Sequence, residues 1–574
     1  MRNYDRAHAP PADGIDRKRA HIVGGGIAGL AAAAFLATDA HLPPDQITVY
    51  ESLESLGGSM DAGGDPGLRY TSRGERELEA WMECLWYLCS KVPSLETPGL
   101  TVLDETRLAN AAEPIRARLR LMQQRGRARD VSGPLLSVED TKRFLRLLAT
   151  PEEELEGLTI ADYAAAGFTD STYWLCASSM LAFREHHSLI EARRYALRFL
   201  MNTARLPTLD YILHTRYNEY DSIIRPVQAW LAALGVTFRT QTTVEDLQVA
   251  VTTDSIVATG LTVRDAAGRS EIALAAEDLV FFTNGSMTQN TTMGDESTPA
   301  PLNRDTTDLG TFSIWQRLAA LDPRFGDPSP FLCDIDRSNW VSFFTTFRGD
   351  RSFFDHMEAK TGTVAGTNGA ITIVDSSWQI SFVQYGTYFP GQPDDVQVMW
   401  AYGQCSDVRG DHIRKAMVDC TGAEMLAELL FHCGLTEAQA ERIIAGATVS
   451  TAAMPYITSQ FMPRAISDRP QVIPRGSVNL AFIGQFVELP GDAVFTVETS
   501  VRSAMLAVWG LTGLSTPPIP MHEPQYDVRV LLSAYKAALG LDSIGLADFP
   551  LVLRTVPGLR DSLRLLNRVP QPPH

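Results

Sequence analysis

The chain has little of what usually assigns a protein quickly. No stretch approaches the roughly 18 uninterrupted apolar residues of a spanning helix, so no membrane-crossing segment is expected. Its cysteines number seven, an odd count scattered over 574 residues. That argues against a disulfide framework and suits a reducing cytosol. Cys84 and Cys89 stand too far apart for a C-x-x-C redox pair. Nothing near them supplies a zinc set, so buried thiols and no metal are expected. Positive charge is scarce: 50 Lys and Arg against 68 Asp and Glu leave a formal net charge of −18, which argues against a nucleic-acid binder. Residues 1–18 are polar and have no apolar core of a secretory signal, so a cytoplasmic location is the expectation. No internal repeat or low-complexity run is apparent. What is present, 45% hydrophobic and 21% charged residues, describes a globular chain. Its length suits roughly two to four domains.

The chain is organised around residues 20–36, an apolar run, three glycines and an alanine-rich helix. Gly24, Gly26 and Gly29 give the G-x-G-x-x-G spacing. One glycine serves a tight turn, one a close approach to a pyrophosphate, and one the packing of helix on strand. The helix N-terminus then points free N–H groups at the phosphates. Residues 47–51 read as a second strand ending in Glu51, about 20 residues past the glycines, where a carboxylate meets ribose hydroxyls. The doublet Gly57-Gly58 follows within a few residues. An acid-ended strand followed by such a doublet is the pattern of two-dinucleotide FAD proteins, so the expected cofactor is FAD.

The remaining elements are placed in order. Residues 1–19 are expected to be a flexible tail, and 20–150 the first part of the FAD domain. From Leu78 to Leu88 apolar residues recur at helical spacing, so an amphipathic helix is expected there. Arg73, Glu75, Arg76, Glu77 and Glu79 crowd its entrance, either as a charged first turn or as a loop that brings a carboxylate into a pocket. Residues 100–155 read as a mixed, partly strand-forming connection. Residues 151–210 form a helical substrate-site segment, with two buried helices joined near His186 and His187. Tyr195 lies on the second, flanked by Arg193, Arg194 and Arg198. Such a tyrosine is either a satisfied core residue or a proton donor made more acidic by those cations. The FAD domain resumes over 211–299, where the backbone near Val244 would meet the adenine and the strand ending Thr283-Asn284-Gly285 closes a second crossover. Residues 300–470 are the substrate domain. Over 471–515 the FAD domain closes, with a strand running into Gly484 and a helix from Thr499 to Leu511. Residues 516–574 are a helical C-terminal region. Arg554, Arg560, Arg564 and Arg568 there suggest either packed helices or peripheral membrane contact through a basic face. The fold class is therefore α/β: a two-dinucleotide, Rossmann-like FAD-binding domain, discontinuous in sequence, with an inserted α+β substrate domain.

Several of these stretches together resemble the oleate hydratases, a family once called myosin-cross-reactive antigens. The likeness is carried by Gly57-Gly-Ser-Met-Asp61, Arg73-Gly-Glu-Arg-Glu-Leu-Glu79, Arg193-Arg-Tyr-Ala-Leu-Arg-Phe199 and Tyr217-Asn-Glu-Tyr-Asp-Ser222. It continues through Thr283-Asn-Gly-Ser-Met-Thr288, Met454-Pro-Tyr-Ile-Thr-Ser459, Phe482-Ile-Gly-Gln-Phe486 and Phe495-Thr-Val-Glu-Thr-Ser-Val-Arg502. It covers roughly 20–510. The resemblance implies an FAD-containing hydro-lyase that adds water across an isolated double bond of a long-chain unsaturated fatty acid. FAD there does no net redox; it organises the site and supports its electrostatics. By position, Glu77 matches the carboxylate that activates water, and Tyr195 the acid that protonates the alkene. The cofactor set expected is Gly24, Gly26, Ile27, Ala28, Gly29, Glu51, Gly57, Gly58, Ser59, Arg73, Val244, Asn284, Gly285, Ser286, Gly484 and Ser500. A homodimer is a further implication. The chain also departs from the family at the head-group positions. A Gln in Tyr-Asn-Gln-Tyr is Glu219 here, and a Thr, Asn and His fall on Phe382, Gln384 and Tyr388, just before Gln392-Pro393. Glu219 would repel a substrate carboxylate unless one of the two is protonated. A neutral alkene such as an isoprenoid then becomes an alternative substrate. The same scaffold would also suit a flavin oxidoreductase of the amine oxidase or desaturase type, or a non-catalytic FAD- and lipid-binding protein.

Overall fold

The computed structural model describes residues 11–65 and 67–543. At its centre is a five-stranded parallel sheet. Its strands lie in the order 480–483, 279–283, 20–23, 47–50 and 237–239. Ala20–Val23 and Leu480–Ile483 are buried along their whole length. Both strands are buried on both faces, so Leu480–Ile483 is a continuous apolar run and Ala20–Val23 is one broken only by His21. The alanine-rich helix Ile27–Thr38 and the helix Val497–Thr512 pack against each other, and both rest on the sheet. Ala31 to Ala34 are fully buried, and small side chains let the two helices approach. Burial of Phe35 and Leu36 beside them contributes about 1.5–3 kcal/mol each. A three-stranded antiparallel sheet, 243–251, 256–265 and 268–273, flanks this layer.

The second body is an eight-stranded sheet, in the order 292–295, 447–454, 340–348, 396–403, 380–385, 371–373, 121–123 and 127–128. Its pairs are antiparallel except that of 371–373 with 121–123. Side chains of a strand alternate between faces. Val341, Phe343, Met399 and Ala401 therefore enter a core with the helix Gly422–His432 behind the sheet. Trp340, Phe344, Val398, Trp400 and Tyr402 face the other way, toward Tyr195 and the helical segment.

Several expectations are corrected. Strand 121–123 pairs with 371–373 and strand 292–295 with 450–453, so these parts of 20–150 and 211–299 belong to the large sheet. The stretch 100–155 is mixed, as expected, with helices Val102–Ala112 and Val138–Ala149 capped by Thr101 and Ser137 and short strands at 121–123 and 127–128. Residues 11–19 are not all loose: a turn at Ile15–Arg17 buries Ile15 against the core. The helix expected from Leu78 begins only at Glu83, because Leu78–Glu79 is drawn into a two-residue strand with Ile212–Leu213. In the C-terminal region, Val528–Leu539 packs Val530 and Ala534 against Leu200 and Met201. Residues 544–574, with the four arginines Arg554, Arg560, Arg564 and Arg568, lie outside the described residues, as do residues 1–10. Among the described residues no helix is long and apolar enough to cross a membrane.

Candidate functional site

A cleft of about 1410 Å³ opens at the C-terminal ends of the parallel strands. Gly24, Gly26, Ile27, Ala28, Glu51, Gly57, Gly58, Ser59, Arg73, Val244, Gly285, Ser286, Gly484 and Ser500 all line it. The glycine doublet crosses the first glycine loop: Gly57 N–H donates to the Gly25 carbonyl at 2.9 Å, and Gly57 and Gly58 have φ of 116° and 59°. A Cβ on Gly58 would meet the Cα of Gly26 at 3.2 Å. This cradle, with a helix N-terminus beside it and a carboxylate at the second strand, fits a dinucleotide. The Glu51 carboxylate accepts the Gly25 and Leu53 N–H groups, each at 2.9 Å, which fixes it at the cleft wall. Two of the expected cofactor residues do not line the cleft. Gly29 faces the strand instead, where a Cβ would stand 2.0 Å from the Gly24 carbonyl oxygen. Asn284 is fully buried, and its amide donates to the Phe486 carbonyl at 2.9 Å, tying two strand ends together.

A second cavity, with about 1060 Å³ of space, lies between the helical segment and the large sheet. Glu77 and Tyr195 both line it, with Trp340, Trp400, Tyr402 and Phe495 among the aromatic walls. The loop that carries Glu77 is tied to the cofactor-side backbone twice. Arg73 donates to the Gly58 carbonyl at 2.7 Å and to Asp61 at 2.8 Å, and Arg76 donates to the Ser59 carbonyl at 2.7 Å. Burial pushes the Glu77 carboxyl up to about 7, against the opposing field of Arg120. Arg120 itself is buried and donates to the carbonyls of Ala370 and Cys176. Glu77 is thus poised to exchange a proton near neutrality.

Tyr195 projects from the helix Leu189–Arg198 into an aromatic cluster with Phe183, Phe199 and Phe461. Its hydroxyl donates to the Val494 carbonyl at 2.5 Å. Burial holds its pKa well above 10, and Glu191 and Asp492 push it the same way. The expectation that neighbouring arginines make it more acidic is corrected. Arg194 is paired with Glu152 at 2.7 Å and Glu488 at 2.5 Å, Arg198 with Glu83 at 2.8 Å and Asp492 at 3.3 Å, and Arg193 with Glu152 at 3.2 Å. Their charge is spent on carboxylates.

Two further residues join the cleft to the cavity. Gln485 lines the cleft; its amide donates to the Thr496 carbonyl and the Ser500 hydroxyl, each at 2.8 Å, and its oxygen accepts the Phe495 N–H. Phe495 lines the cavity with a φ of 71°, a left-handed conformation uncommon outside glycine. Both sit inside stretches that carried the family resemblance, but neither residue type announces such a role alone. An apolar annex of about 660 Å³ shares Leu181 and Tyr195 with the cavity and is walled by Phe144, Phe168, Trp174 and Phe183. It adds room for an apolar chain.

At the other end lies a compartment of about 760 Å³, whose wall shares Glu75, Glu77 and Val383 with the cavity. Glu219 and Tyr388 line it. Gln384 does not. On its strand it has the parity of Ile380 and Phe382, which face the core behind the sheet, whereas Val383 and Tyr385 face the compartment. Elsewhere, Asp411, Glu428 and His432 offer three potential metal ligands within 4.8 Å. The Glu428 carboxylate, however, accepts the N–H groups of Asp411, His412 and Ile413 and serves to cap that loop.

The sequence profile of the MCRA family matches residues 17–509. An oleate hydratase of Streptococcus pyogenes serotype M49 (strain NZ131) is 37% identical over 93% of this chain and 92% of its own length. A linoleate hydratase of Lactiplantibacillus plantarum is 29% identical over 91% of this chain and 98% of its own. Among solved structures, a putrescine oxidase bound to putrescine superposes with a TM-score of 0.50 at 15% identity. The superposition covers 86% of this chain and 99% of that one, a likeness of fold.

Proposed function

The chain belongs to the MCRA family, and on that premise we propose that it is an FAD-containing hydratase of a long-chain unsaturated fatty acid. The observation that carries this reading is the meeting of Glu77 and Tyr195 on one cavity beside a dinucleotide cleft. An isolated alkene is a poor electrophile, so a proton must arrive as water attacks. Tyr195 gives its hydroxyl proton to one alkene carbon. Water bonds to the other carbon, and Glu77 takes the proton that water loses. Solvent then returns a proton to Tyr195 and removes one from Glu77, so the net change is one water added. Because burial makes Tyr195 a weak acid, its proton transfer must be concerted with attack by water. Aromatic faces of Trp340, Trp400 and Tyr402 in the same cavity favour a developing cation. FAD, held by the glycine cradle and Glu51, Arg73 and Ser500, would add electrostatic support for that cation without net oxidation.

The test is turnover in heavy-oxygen water by FAD-loaded protein, with oleic acid, linoleic acid and oleyl alcohol, read by mass spectrometry. A labelled hydroxy product without oxygen or electron-acceptor consumption is expected. Oxygen consumption with desaturated or oxidised product would replace this reading with a flavin oxidoreductase.

A further inference from the structure

Glu77 gains a proton in each cycle of the proposed hydration and has to lose it before the next. On that reading the substrate chain fills the cavity and the compartment beyond Glu77, so neither offers a free path to solvent while the site is occupied. A different pair of residues does. Glu79 follows Glu77 by two positions on an extended run, and extended chain turns alternate residues to one side. Both carboxyls accordingly line the reaction cavity. Glu79 also lines a separate pocket of about 880 Å³. Tyr211 shares both walls with it, because Glu79 pairs with Ile212 across a two-residue strand.

These two side chains form the partition between a closed, largely apolar space and a polar one. Glu79 is 4% and Tyr211 8% exposed. The Tyr211 hydroxyl meets the Met180 sulfur at 3.3 Å, a weak acceptor that holds its proton loosely. Burial keeps its pKa well above 10, and Glu77 and Glu79 push it the same way, so the phenol stands in the field of both carboxyls. Asn202, on the far pocket, donates to Glu79 Oε2 at 2.5 Å. Burial raises Glu77 to about 7 against Arg120. It raises Glu79 to about 8 against Arg198, with Glu83 and Glu498 reinforcing the rise. A proton on Glu77 therefore moves downhill to an ionised Glu79. Beyond Glu79 the pocket reaches solvent, since Asp210 and Arg529 on its wall are exposed. Its arginines are spent on their own acids, Arg205 on Asp210 at 2.7 Å and Arg529 on Asp527 at 2.5 Å.

We propose that Tyr211 and Glu79 form a proton exit from the reaction cavity: the Glu77 carboxyl passes its proton to the Tyr211 oxygen as the Tyr211 hydroxyl proton passes to the Glu79 carboxylate, which releases it to water in the far pocket. One proton leaves, Tyr211 ends as it began, and no bond to carbon changes. The proposal rests on the hydratase reading of the cavity and gives Glu79 and Tyr211 a role after the addition of water.

Full-length, FAD-loaded protein is mixed with oleate in heavy-oxygen water at pH 8. Labelled product is counted by mass spectrometry through the first turnover and then in steady state. Glu77 starts the first cycle ionised, so the exit is needed afterwards. In Glu79→Gln and in Tyr211→Phe the first turnover is expected to stay within about twofold of wild type, while later turnovers slow about tenfold. Imidazole, a base small enough to enter the far pocket, is expected to speed the later turnovers of Glu79→Ala about fivefold and to leave Tyr211→Phe slow. Flavin absorbance checks that each variant is folded. Equal losses in first and later turnovers overturn the relay, as does an unslowed later phase in either variant. A slow Glu79→Ala that imidazole leaves unchanged overturns it too, because a purely structural role does not answer to a base. No labelled product from the wild type sinks the hydratase reading and the relay with it. Labelled wild-type product with any of the other adverse results sinks the relay alone.

Discussion

The hydroxyl of Tyr195 donates to the Val494 carbonyl at 2.5 Å, and the next residue, Phe495, is held at a φ of 71°. That bend is secured by Gln485, whose oxygen accepts the Phe495 N–H and whose amide donates to Thr496. The proton donor of the proposed reaction is thus positioned by the loop that separates it from the cofactor cleft. In this structure that hydroxyl is hydrogen-bonded to a backbone oxygen. Tyr195→Phe keeps the ring packing and removes the hydroxyl, so we expect hydration to fall about 10²- to 10⁴-fold with flavin content unchanged. An unchanged rate would remove Tyr195 from the mechanism.

Glu77→Gln is expected to fold and hold FAD while losing about 10²- to 10⁴-fold in turnover, measured as labelled product. With a carboxyl near 7, the wild-type base is ionised above that pH. The rate should fall toward tenfold per pH unit below about 7 and level off above it. A flat profile from pH 5 to 8 would contradict the base role.

Arg120 opposes the burial that raises Glu77. Arg120→Met should therefore move the midpoint of the pH–rate profile upward, with the loss concentrated at low pH. A uniform loss at every pH would mean that Arg120 only supports the fold through Thr372 and Ala370.

Gly29→Ala is expected to abolish flavin binding or folding. The added Cβ would lie 2.0 Å from the Gly24 carbonyl oxygen, a backbone atom that cannot rotate away. The ratio of flavin to protein absorbance reads the outcome, and normal FAD content would refute the packing role.

Glu79 concerns stability. Burial raises its carboxyl to about 8, and its Oε2 accepts from Asn202 at 2.5 Å. Its folded pKa is above the unfolded value, so the folded state binds the proton more tightly. The contribution is full below about 4.5, is lost as pH rises to about 8, and stays lost above. Melting temperature should decline over that window, and Glu79→Gln should flatten the decline. An equal pH dependence in both proteins would assign it to Glu77, Glu219 and Glu498, which burial raises to about 7.

What the sequence determined by itself is the nucleotide half of the molecule. Gly24, Gly26, Gly29 and the Gly57-Gly58 doublet answer local steric demands, and those demands leave a fixed spacing in the chain. Burial on both faces likewise leaves readable apolar runs at 20–23 and 480–483. The identities of Glu77 and Tyr195 came from motifs. Their chemistry did not, because a pKa depends on what surrounds a group. Only the tertiary structure encloses Glu77 and sets it against Arg120, and only there are Arg193, Arg194 and Arg198 neutralised by acids far away in the chain. Pairing decided the rest. The short strand with Ile212–Leu213 cancelled a helix expected from Leu78, and strand parity turned Gln384 away from the compartment where Glu75 meets Glu219. Burial, partner charge and strand facing are set by residues distant in sequence, and local spacing carries no record of them.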